Sequence, residues 1–513
     1  MIERKIIIGM IVSTEYLRQI EGIWDVRFLE SGAARRLARW ILEFFEKYGK
    51  APKQEIETIF YDKLRTGKIS EDIAEEIEQD ILPGLSEQYV EDDLNLDHLI
   101  DQTKKYFNER NLVIRNLSIQ AALDKGDLLE AEKIASEYKP VVVSGAEDID
   151  LSDENVLVKI DKAFNKDIEP LIRYPGPLGE FWNDQLIRGG FVALLASEKR
   201  GKTWWMLDMS NRACDKGKKV AFFQAGDMTE SQQLRRICIY RTMKSDQERY
   251  AGKMHQPVLD CIHNQVNECT REDRVCDFGV FDGFSIKDIK GMTLYDLKEA
   301  YKSNPDYKPC HACEEFKKKP WGAPWIKEVD VGPPLTASEA KHSIEKFFIK
   351  HKVNFKISTH PNDTLSIDMI ESILDIWERQ KDFVPDVIIV DYADLLVADK
   401  SENYRQSQNK IWKGLRRLSQ TRGNPLVITA TQADAASYDK DSLRMNNFSE
   451  DKRKYGHVTA MWGLNQDSKD REKIIGVMRI NEIVKREGEF FHTREVKVLQ
   501  NLKRGRPFLG SYW

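Results

Sequence analysis

The sequence has no apolar run long enough to cross a membrane. The run Ile6 to Val12 near the N-terminus is much shorter than the roughly 20 residues that a transmembrane helix needs, and no secretory cleavage pattern follows it. The chain also lacks an overall basic charge, since its formal net charge is −5 and its pI is about 6.1, and it has no internal repeats. We therefore expect a cytoplasmic protein with no membrane partner, in which any contact with nucleic acid uses local basic groups.

Cysteine is scarce and unevenly placed. Only seven cysteines occur in 513 residues, and five of them lie between Cys261 and Cys313. In a reducing compartment this distribution favours metal binding over a disulfide framework. Cys310 and Cys313 have the spacing of a zinc knuckle, and Cys261 with Cys269 would complete a tetrahedral site. The rival ligands that the spacing leaves open are Cys276, His263 and His311.

The remaining composition is that of a globular protein, with 41% hydrophobic and 32% charged residues, and the length predicts two or three domains. Residues 1–140 have helical periodicity throughout, which predicts a small helical domain. Residues 141–179 are predicted to be a linker with one short helix, between Ser152 and Phe164. Residues 180–513 alternate short apolar runs with amphipathic stretches, which predicts a parallel α/β sheet.

A segment rich in Cys, Pro, Trp and Lys, residues 246–340, interrupts this alternation and is predicted to be an insertion. A stretch such as Phe316 to Trp321 is not expected to build its own core. A structural zinc ion would therefore stabilise the insertion.

The sharpest local motif is an apolar strand, Phe191 to Leu195, followed by a loop and the start of a helix. The loop ends in Gly201, Lys202 and Thr203. In such a loop the backbone N–H groups and the helix dipole face phosphates, the lysine reaches the β- and γ-phosphates, and the threonine hydroxyl holds Mg²⁺. The predicted nucleotide-binding residues are Ala196, Ser197, Glu198, Lys199, Arg200, Gly201, Lys202, Thr203 and Trp204.

A second apolar strand, Asp386 to Val390, runs directly into Asp391. A carboxylate at the end of a buried strand, downstream of a phosphate loop, is typical of the acid that orders Mg²⁺ and its water. The two elements support each other, and together they predict an ATP-binding enzyme that uses magnesium.

Taken in order, these segments resemble the DnaB-type replicative helicases, in which the phosphate loop commonly begins with Ala, as Ala196 does here. The resemblance covers roughly residues 171–513 apart from the insertion. It implies an α/β fold: a RecA-like P-loop ATPase with a mostly parallel sheet, preceded by an all-α N-terminal domain and carrying the zinc-binding insertion. A phage or prophage-like variant would suit that insertion.

The resemblance also implies roles for further positions. Asp227 lies where the family has its catalytic glutamate and would orient or deprotonate the attacking water, although its side chain is one methylene shorter. Gln432 would sense the γ-phosphate. Lys503 or Arg504 would reach the nucleotide of the neighbouring subunit, and counting back from Gly505 favours Lys503.

The implied function is an ATP-dependent DNA helicase that translocates on single-stranded DNA as a hexameric ring, in the 5′-to-3′ direction, with loader and primase proteins as possible partners. The loop after Gln432, including Arg444 and Lys452 to Lys454, would follow the DNA backbone. Two alternatives stay open: a RecA-like recombinase or regulatory ATPase that binds DNA without unwinding it, and a helicase-loader or DNA-binding module with a decayed ATPase.

Overall fold

The computed structural model of the chain describes residues 2–67, 69–81, 95–136, 151, 156–157, 160–161, 164, 169–397, 404–434, 442–444, 452–491 and 493–513. Internal contacts divide the chain into two compact units, Met1–Asp161 and Lys162–Trp513. Most of the predicted linker helix between Ser152 and Phe164 lies outside the described residues. None of the described helices combines the length and the apolar character that a bilayer crossing requires.

The N-terminal unit is helical, as the periodicity predicted. Helix α3 (Gly32–Tyr48) illustrates why. The Ser31 side chain before it accepts a hydrogen bond from the Ala34 N–H at 3.0 Å, and Gly49 ends the helix with a φ of 68°. Between these caps, Leu37 and Ile41 are buried in the core of the unit. The described helices are α1 (Ile2–Val12), α2 (Thr14–Glu21), α3 (Gly32–Tyr48), α4 (Glu55–Arg65), α5 (Glu71–Glu76), α6 (Leu96–Asp124) and α7 (Leu128–Ser136).

The second unit is built on a mostly parallel sheet, which confirms the predicted fold class. The sheet has nine strands in the order β11-β10-β9-β8-β1-β7-β6-β2-β5, and the six from β8 to β5 are parallel while β9, β10 and β11 are antiparallel. Its strands are β1 (Phe191–Ala196), β2 (Val220–Ala225), β5 (Phe355–His360), β6 (Val387–Asp391), β7 (Leu426–Gln432), β8 (Ala460–Asn465), β9 (Val477–Lys485), β10 (Glu495–Asn501) and β11 (Arg506–Tyr512). A separate hairpin pairs β3 (Lys253–Cys261) with β4 (Gly322–Asp330).

Both faces of this sheet are buried, which explains why its central strands are apolar along their length. One apolar cluster joins alternate strand residues to helix α9 (Lys202–Asp215). The cluster on the other face joins the remaining strand residues to helices α16 (Ile367–Lys381) and α17 (Tyr404–Leu418). The helices of this unit are α8 (Gly176–Trp182), α9 (Lys202–Asp215), α10 (Glu230–Thr242), α11 (Ile262–Gln265), α12 (Ile286–Lys290), α13 (Leu294–Ser303), α14 (Glu314–Lys318), α15 (Ala337–Ile344), α16 (Ile367–Lys381), α17 (Tyr404–Leu418) and α18 (Arg471–Ile475).

The sheet order brings the predicted site segments to one edge. Strand β1 lies between β7 and β8, and β7 separates it from β6. Because these strands are parallel, the chain segments that follow β1, β2, β6 and β7 all leave the sheet at its carboxyl edge, where ligands bind in open α/β sheets.

The insertion has an apolar core, so the prediction that it cannot build one is wrong. Trp325 of β4 is buried, with the rings of Tyr307 and Phe281 at centroid distances of 5.0 and 6.1 Å. The same cluster includes Val477 of β9 and Tyr512 of β11, so the insertion packs on the antiparallel side of the main sheet. The physical reason is that aromatic residues scattered through a Lys- and Pro-rich sequence converge only when β3 and β4 pair.

A buried carboxylate ties the insertion together. Asp260 on β3 is fully buried and accepts hydrogen bonds from the backbone N–H groups of Cys261 at 2.8 Å and Cys310 at 2.7 Å. The Tyr307 hydroxyl donates to it at 2.7 Å and the Asn264 amide at 3.3 Å. Asp260 therefore links the start of the insertion to the loop that carries Cys310.

Candidate nucleotide site

The phosphate loop connects β1 to α9, as the motif predicted. Helix α9 begins at Lys202, and Gly201 before it has a φ of 85°, which a residue with a side chain rarely adopts. A Cβ atom at Gly201 would also lie 2.9 Å from the Leu502 side chain. The helix N-terminus at Lys202 and Thr203 thus opens toward the carboxyl edge of the sheet, where its N–H groups are oriented to receive an anion.

Lys202 is surrounded by carboxylates. Burial lowers the pKa of Lys202, and the charges of Asp394, Asp391, Asp227 and Glu198 oppose that shift. Its Nζ donates a hydrogen bond to the Ala196 carbonyl of its own loop at 3.2 Å. The structure therefore brings together the loop lysine, the predicted magnesium acid and the predicted catalytic acid, which are separated by up to 189 positions (391 − 202) in the sequence.

Asp391, at the end of β6, is buried, and neither of its carboxylate oxygens has a hydrogen-bond partner in the structure. Burial raises its pKa to about 6, and the Thr203 hydroxyl and the Arg236 guanidinium lower it only in part. An unpaired buried carboxylate is costly unless a cation compensates it. Asp391 and the Thr203 hydroxyl are hard oxygen donors of the kind Mg²⁺ prefers, so these residues fit the ion that the fold implies.

Asp227 follows β2 on the same edge of the sheet. The turn before it is close-packed, because Gly226 has a φ of 98° and a Cβ there would lie 2.3 Å from the Asn362 Cα. Asp227 itself is exposed. It lines a cavity of about 550 Å³ with Trp204, Arg236 and other residues. The carboxylate is thus open to solvent beside the phosphate loop, as a residue that positions water must be.

Gln432, at the end of β7, contacts the phosphate loop directly. Its amide donates to the Glu198 carboxylate at 3.1 Å, and its backbone N–H donates to Asp394 at 2.9 Å. Asp394 also accepts hydrogen bonds from the Thr431 hydroxyl at 2.8 Å and from the Lys454 Nζ at 2.6 Å. One carboxylate therefore joins the strand that ends in Gln432 to Lys454.

Lys454 was predicted to lie in a loop that contacts DNA, but the structure buries it. Only 1% of the residue is exposed, and its Nζ pairs with Asp394. A buried lysine needs a partner for its charge, and Asp394 is that partner here. Lys454 therefore cannot contact a DNA backbone in this position. Arg444 is exposed, and residues 435–441 and 445–451 lie outside the described residues.

The two candidate finger cations occupy different surroundings. Arg504 is engaged within its own chain, since its guanidinium donates to the Met243 carbonyl at 2.9 Å and to Gln256 at 2.5 Å. Lys503 lines the cavity that contains Asp227, with its Nζ 5.4 Å from the centre of the Tyr250 ring. Arg504 is therefore held within its own chain, whereas Lys503 lies on the wall of that cavity.

Several residues of this site had no predicted role. Burial lowers the pKa of Arg236 on α10, and the nearby charges of Asp391 and Asp227 oppose that shift. Asp394, the partner of Lys454 in the buried pair, is another. The only available sequence signal was that Asp394 is a charged residue in an otherwise apolar segment, and nothing local indicates its partner.

The predicted zinc site receives no support. All five cysteines of the insertion are described, and the described part of the chain holds no group of three or more His, Cys, Asp or Glu side chains that could bind a metal ion. Burial raises the pKa of the Cys261 thiol to about 11, which keeps it protonated. The predicted ligand set was Cys261, Cys269, Cys310 and Cys313, with Cys276 as a rival. The aromatic core and Asp260 supply the stabilisation for which zinc had been invoked.

No protein-family model and no curated protein sequence matches the chain. Among solved structures, one described as an ATPase domain is 12% identical, and the match covers 70% of this chain and 98% of that one with a TM-score of 0.44. Another, described as the structure of a DnaB-like replicative helicase and its interactions with primase, is also 12% identical, and the match covers 98% of both chains with a TM-score of 0.45. The chain is similar to both structures at low sequence identity.

Proposed function

We propose that the chain is an ATP-dependent DNA helicase motor that moves along single-stranded DNA as a hexameric ring. The observation that carries the proposal is the convergence of Lys202, Thr203 and Asp391 at the carboxyl edge of the sheet, with both Asp391 oxygens buried and unpaired. A triphosphate against the loop N–H groups, with its magnesium on Thr203 and Asp391, would compensate this carboxylate.

The charges around the site make binding depend on a divalent cation. Four carboxylates face Lys202, so a metal-free triphosphate would meet more negative than positive charge. Magnesium, when bound, supplies the charge that offsets the phosphates and those acids. Lys202 would then hold the terminal phosphates, and Thr203 would hold the ion.

Hydrolysis and its coupling to DNA would use the remaining site residues. Asp227, exposed beside the loop, is suited to orienting the attacking water. Gln432 is suited to sensing the γ-phosphate through its contact with Glu198. Asp394 and Lys454 then link Gln432 to the chain that returns from the proposed DNA loop, so a change at the phosphate can be passed to DNA contacts.

The ring is implied by the resemblance. Because Arg504 is bound within its own chain, Lys503 is the cation that we propose to act on the neighbouring subunit's nucleotide. The helical N-terminal unit would form a collar. We further propose a cytoplasmic location, 5′-to-3′ movement, and possible loader and primase proteins as partners.

A second candidate is a RecA-like ATPase that binds DNA without unwinding it. The observation that favours it is Asp227, whose short side chain stands where a longer catalytic acid is expected and reaches less far toward a nucleotide. A decayed loader module is less well supported, because Lys202, Thr203 and Asp391 are all present.

Unwinding of a forked DNA duplex distinguishes the candidates. We expect the wild type to separate the strands only with ATP and Mg²⁺, and Lys202→Ala to lose both unwinding and hydrolysis. Lys302→Ala is the matched control, because Lys302 is exposed on α13 in the insertion. Hydrolysis stimulated by DNA without strand separation would favour the second candidate, and full activity of Lys202→Ala would contradict both.

A further inference from the structure

Strand β2 contains one polar residue that its surroundings do not satisfy. Gln224 is fully buried, and neither its carboxamide oxygen nor its nitrogen has a hydrogen-bond partner. The other residues of the strand are apolar, so a leucine or methionine would fit the same burial without this cost. A buried amide that is left unpaired in a native structure needs an explanation.

The register of the sheet puts Gln224 next to Asp391. The two residues are paired across the parallel strands β2 and β6, which lie roughly 4.8 Å apart. Both side chains point to the same face as Phe222 and Ile389, because those residues precede them by two positions and belong to the cluster packed against α9. Gln224 and Asp391 are therefore neighbours on the face that the phosphate loop covers.

A second buried amide approaches this face from α10. Gln233 is buried and both of its carboxamide atoms lack partners. It precedes Ile237 by one helical turn, and Ile237 packs in the same apolar cluster as Phe222. Gln224, Gln233 and Asp391 thus all have unpaired side-chain atoms on the side of the sheet where α9 and Ile237 pack.

We propose that Gln224 is a positioning residue of the nucleotide site, which holds the water shell of the Asp391-bound magnesium ion in place. This inference rests on the proposed function. A carboxamide suits the role because its N–H groups donate to a carboxylate or to water, while its oxygen accepts from metal-bound water. Gln224 would act through Asp391 and water rather than through contact with the nucleotide.

The test compares nucleotide binding with and without magnesium. Gln224→Met keeps the length and the apolar volume of the side chain but removes its donors and acceptor. We expect this variant to bind ADP in the absence of Mg²⁺ as tightly as the wild type does. The factor by which Mg²⁺ increases its affinity for ADP should be about tenfold smaller than in the wild type. Isothermal titration calorimetry measures both constants, and no turnover is needed.

Gln500→Met is the matched control, since Gln500 is buried in β10 of the same sheet and its side-chain oxygen also lacks a partner. In this variant Mg²⁺ should increase the affinity for ADP as much as it does in the wild type. Thermal melting of the metal-free proteins checks folding, and we expect Gln224→Met to melt at the wild-type temperature or above, because an unpaired buried amide has been removed.

The outcomes are distinct. If the wild type binds ADP more tightly with Mg²⁺ and Gln224→Met keeps that gain in full, the inference is overturned while the proposed function stands. An equal loss in Gln224→Met and Gln500→Met would also overturn it, because the effect would then be one of packing. If the wild type takes up no nucleotide with or without Mg²⁺, the proposed function fails and the inference fails with it.

Discussion

Asp260 in the insertion and Asp391 at the nucleotide site are the same chemical group in opposite surroundings. Both are buried on strands, and burial raises the pKa of each to about 6. Four donors from the insertion satisfy Asp260. Neither oxygen of Asp391 has a partner within hydrogen-bond geometry, and the Thr203 hydroxyl lies only near enough to lower its pKa in part. This is the difference we expect between a carboxylate that holds the fold together and one that, in the proposed function, binds a ligand.

The largest expected effect is the loss of ATP hydrolysis in Asp391→Asn. The amide keeps the shape of the side chain but cannot supply the negative charge that holds magnesium. We expect hydrolysis to fall by at least about 100-fold, which corresponds to about 2.7 kcal/mol. The melting temperature of the nucleotide-free protein should be unchanged or higher.

Steady-state hydrolysis assays check this prediction, with Asp260→Asn as the partner variant. Asp260→Asn should retain hydrolysis wherever the protein is folded. If the two variants lose hydrolysis to the same extent without unfolding, the comparison between the two aspartates is wrong.

The next effect is on stability and concerns Asp260→Asn. Three of the four donors reach the Oδ1 atom of Asp260, and the Tyr307 hydroxyl reaches Oδ2. An asparagine that keeps the first oxygen therefore places an NH₂ group where the buried Tyr307 hydroxyl needs an acceptor. We expect a loss of about 2–3 kcal/mol in the free energy of unfolding, measured by urea denaturation. Asp391→Asn in the same assay should lose nothing, and a comparable loss there would contradict the account.

The pH dependence sharpens the comparison further, because stability and binding should respond in opposite directions. The folded-state pKa of both carboxyls, about 6, is higher than the ordinary 3.8. Their contribution to stability is therefore full below about pH 4 and is lost as the pH rises through about 6. Binding of a magnesium nucleotide needs ionised Asp391, so its affinity should fall as the pH drops below about 6, by up to about tenfold per unit.

Calorimetric titration with ADP and Mg²⁺ between pH 5 and pH 8 measures this profile. Asp260→Asn should keep the wild-type profile, since Asp260 lies in the insertion. A wild-type affinity that stays constant across pH 6 would show that Asp391 does not carry the metal.

A smaller effect is expected at the pair formed by Asp394 and Lys454. Lys454→Met removes the charge that reaches Asp394 at 2.6 Å and preserves most of the buried side chain. Hydrolysis without DNA should change by less than about threefold, whereas stimulation by single-stranded DNA should fall severalfold. The ratio of the two rates is the measurement. Unchanged stimulation would exclude this pair from the coupling path.

The sequence predicts this fold best where the signal is local. Strands β1 and β6, the loop before Lys202 and the acid at Asp391 were predicted because an apolar run and the residue at its end are adjacent in the chain. The core around Trp325 was missed because its members come from distant parts of the insertion. The partners Asp394 and Lys454 were missed for the same reason, since 60 positions (454 − 394) separate them.

The role proposed for Gln224 was not predicted either, although the sequence contains a signal for this residue. A single polar residue in a strand that is otherwise apolar is unusual, but it becomes informative only when the register shows that Asp391 is its neighbour. Sequence patterns thus indicate which residues are buried, while the pairing of strands decides which buried polar groups meet.

Binding of ATP to the purified chain is the measurement that tests the central claim most directly. The account predicts that the wild type binds ATP far more tightly with Mg²⁺ than without it, and that Lys202→Ala weakens binding with Mg²⁺ by at least about 100-fold, or about 2.7 kcal/mol. A wild-type chain that neither binds nor hydrolyses a nucleoside triphosphate with Mg²⁺ would contradict the account.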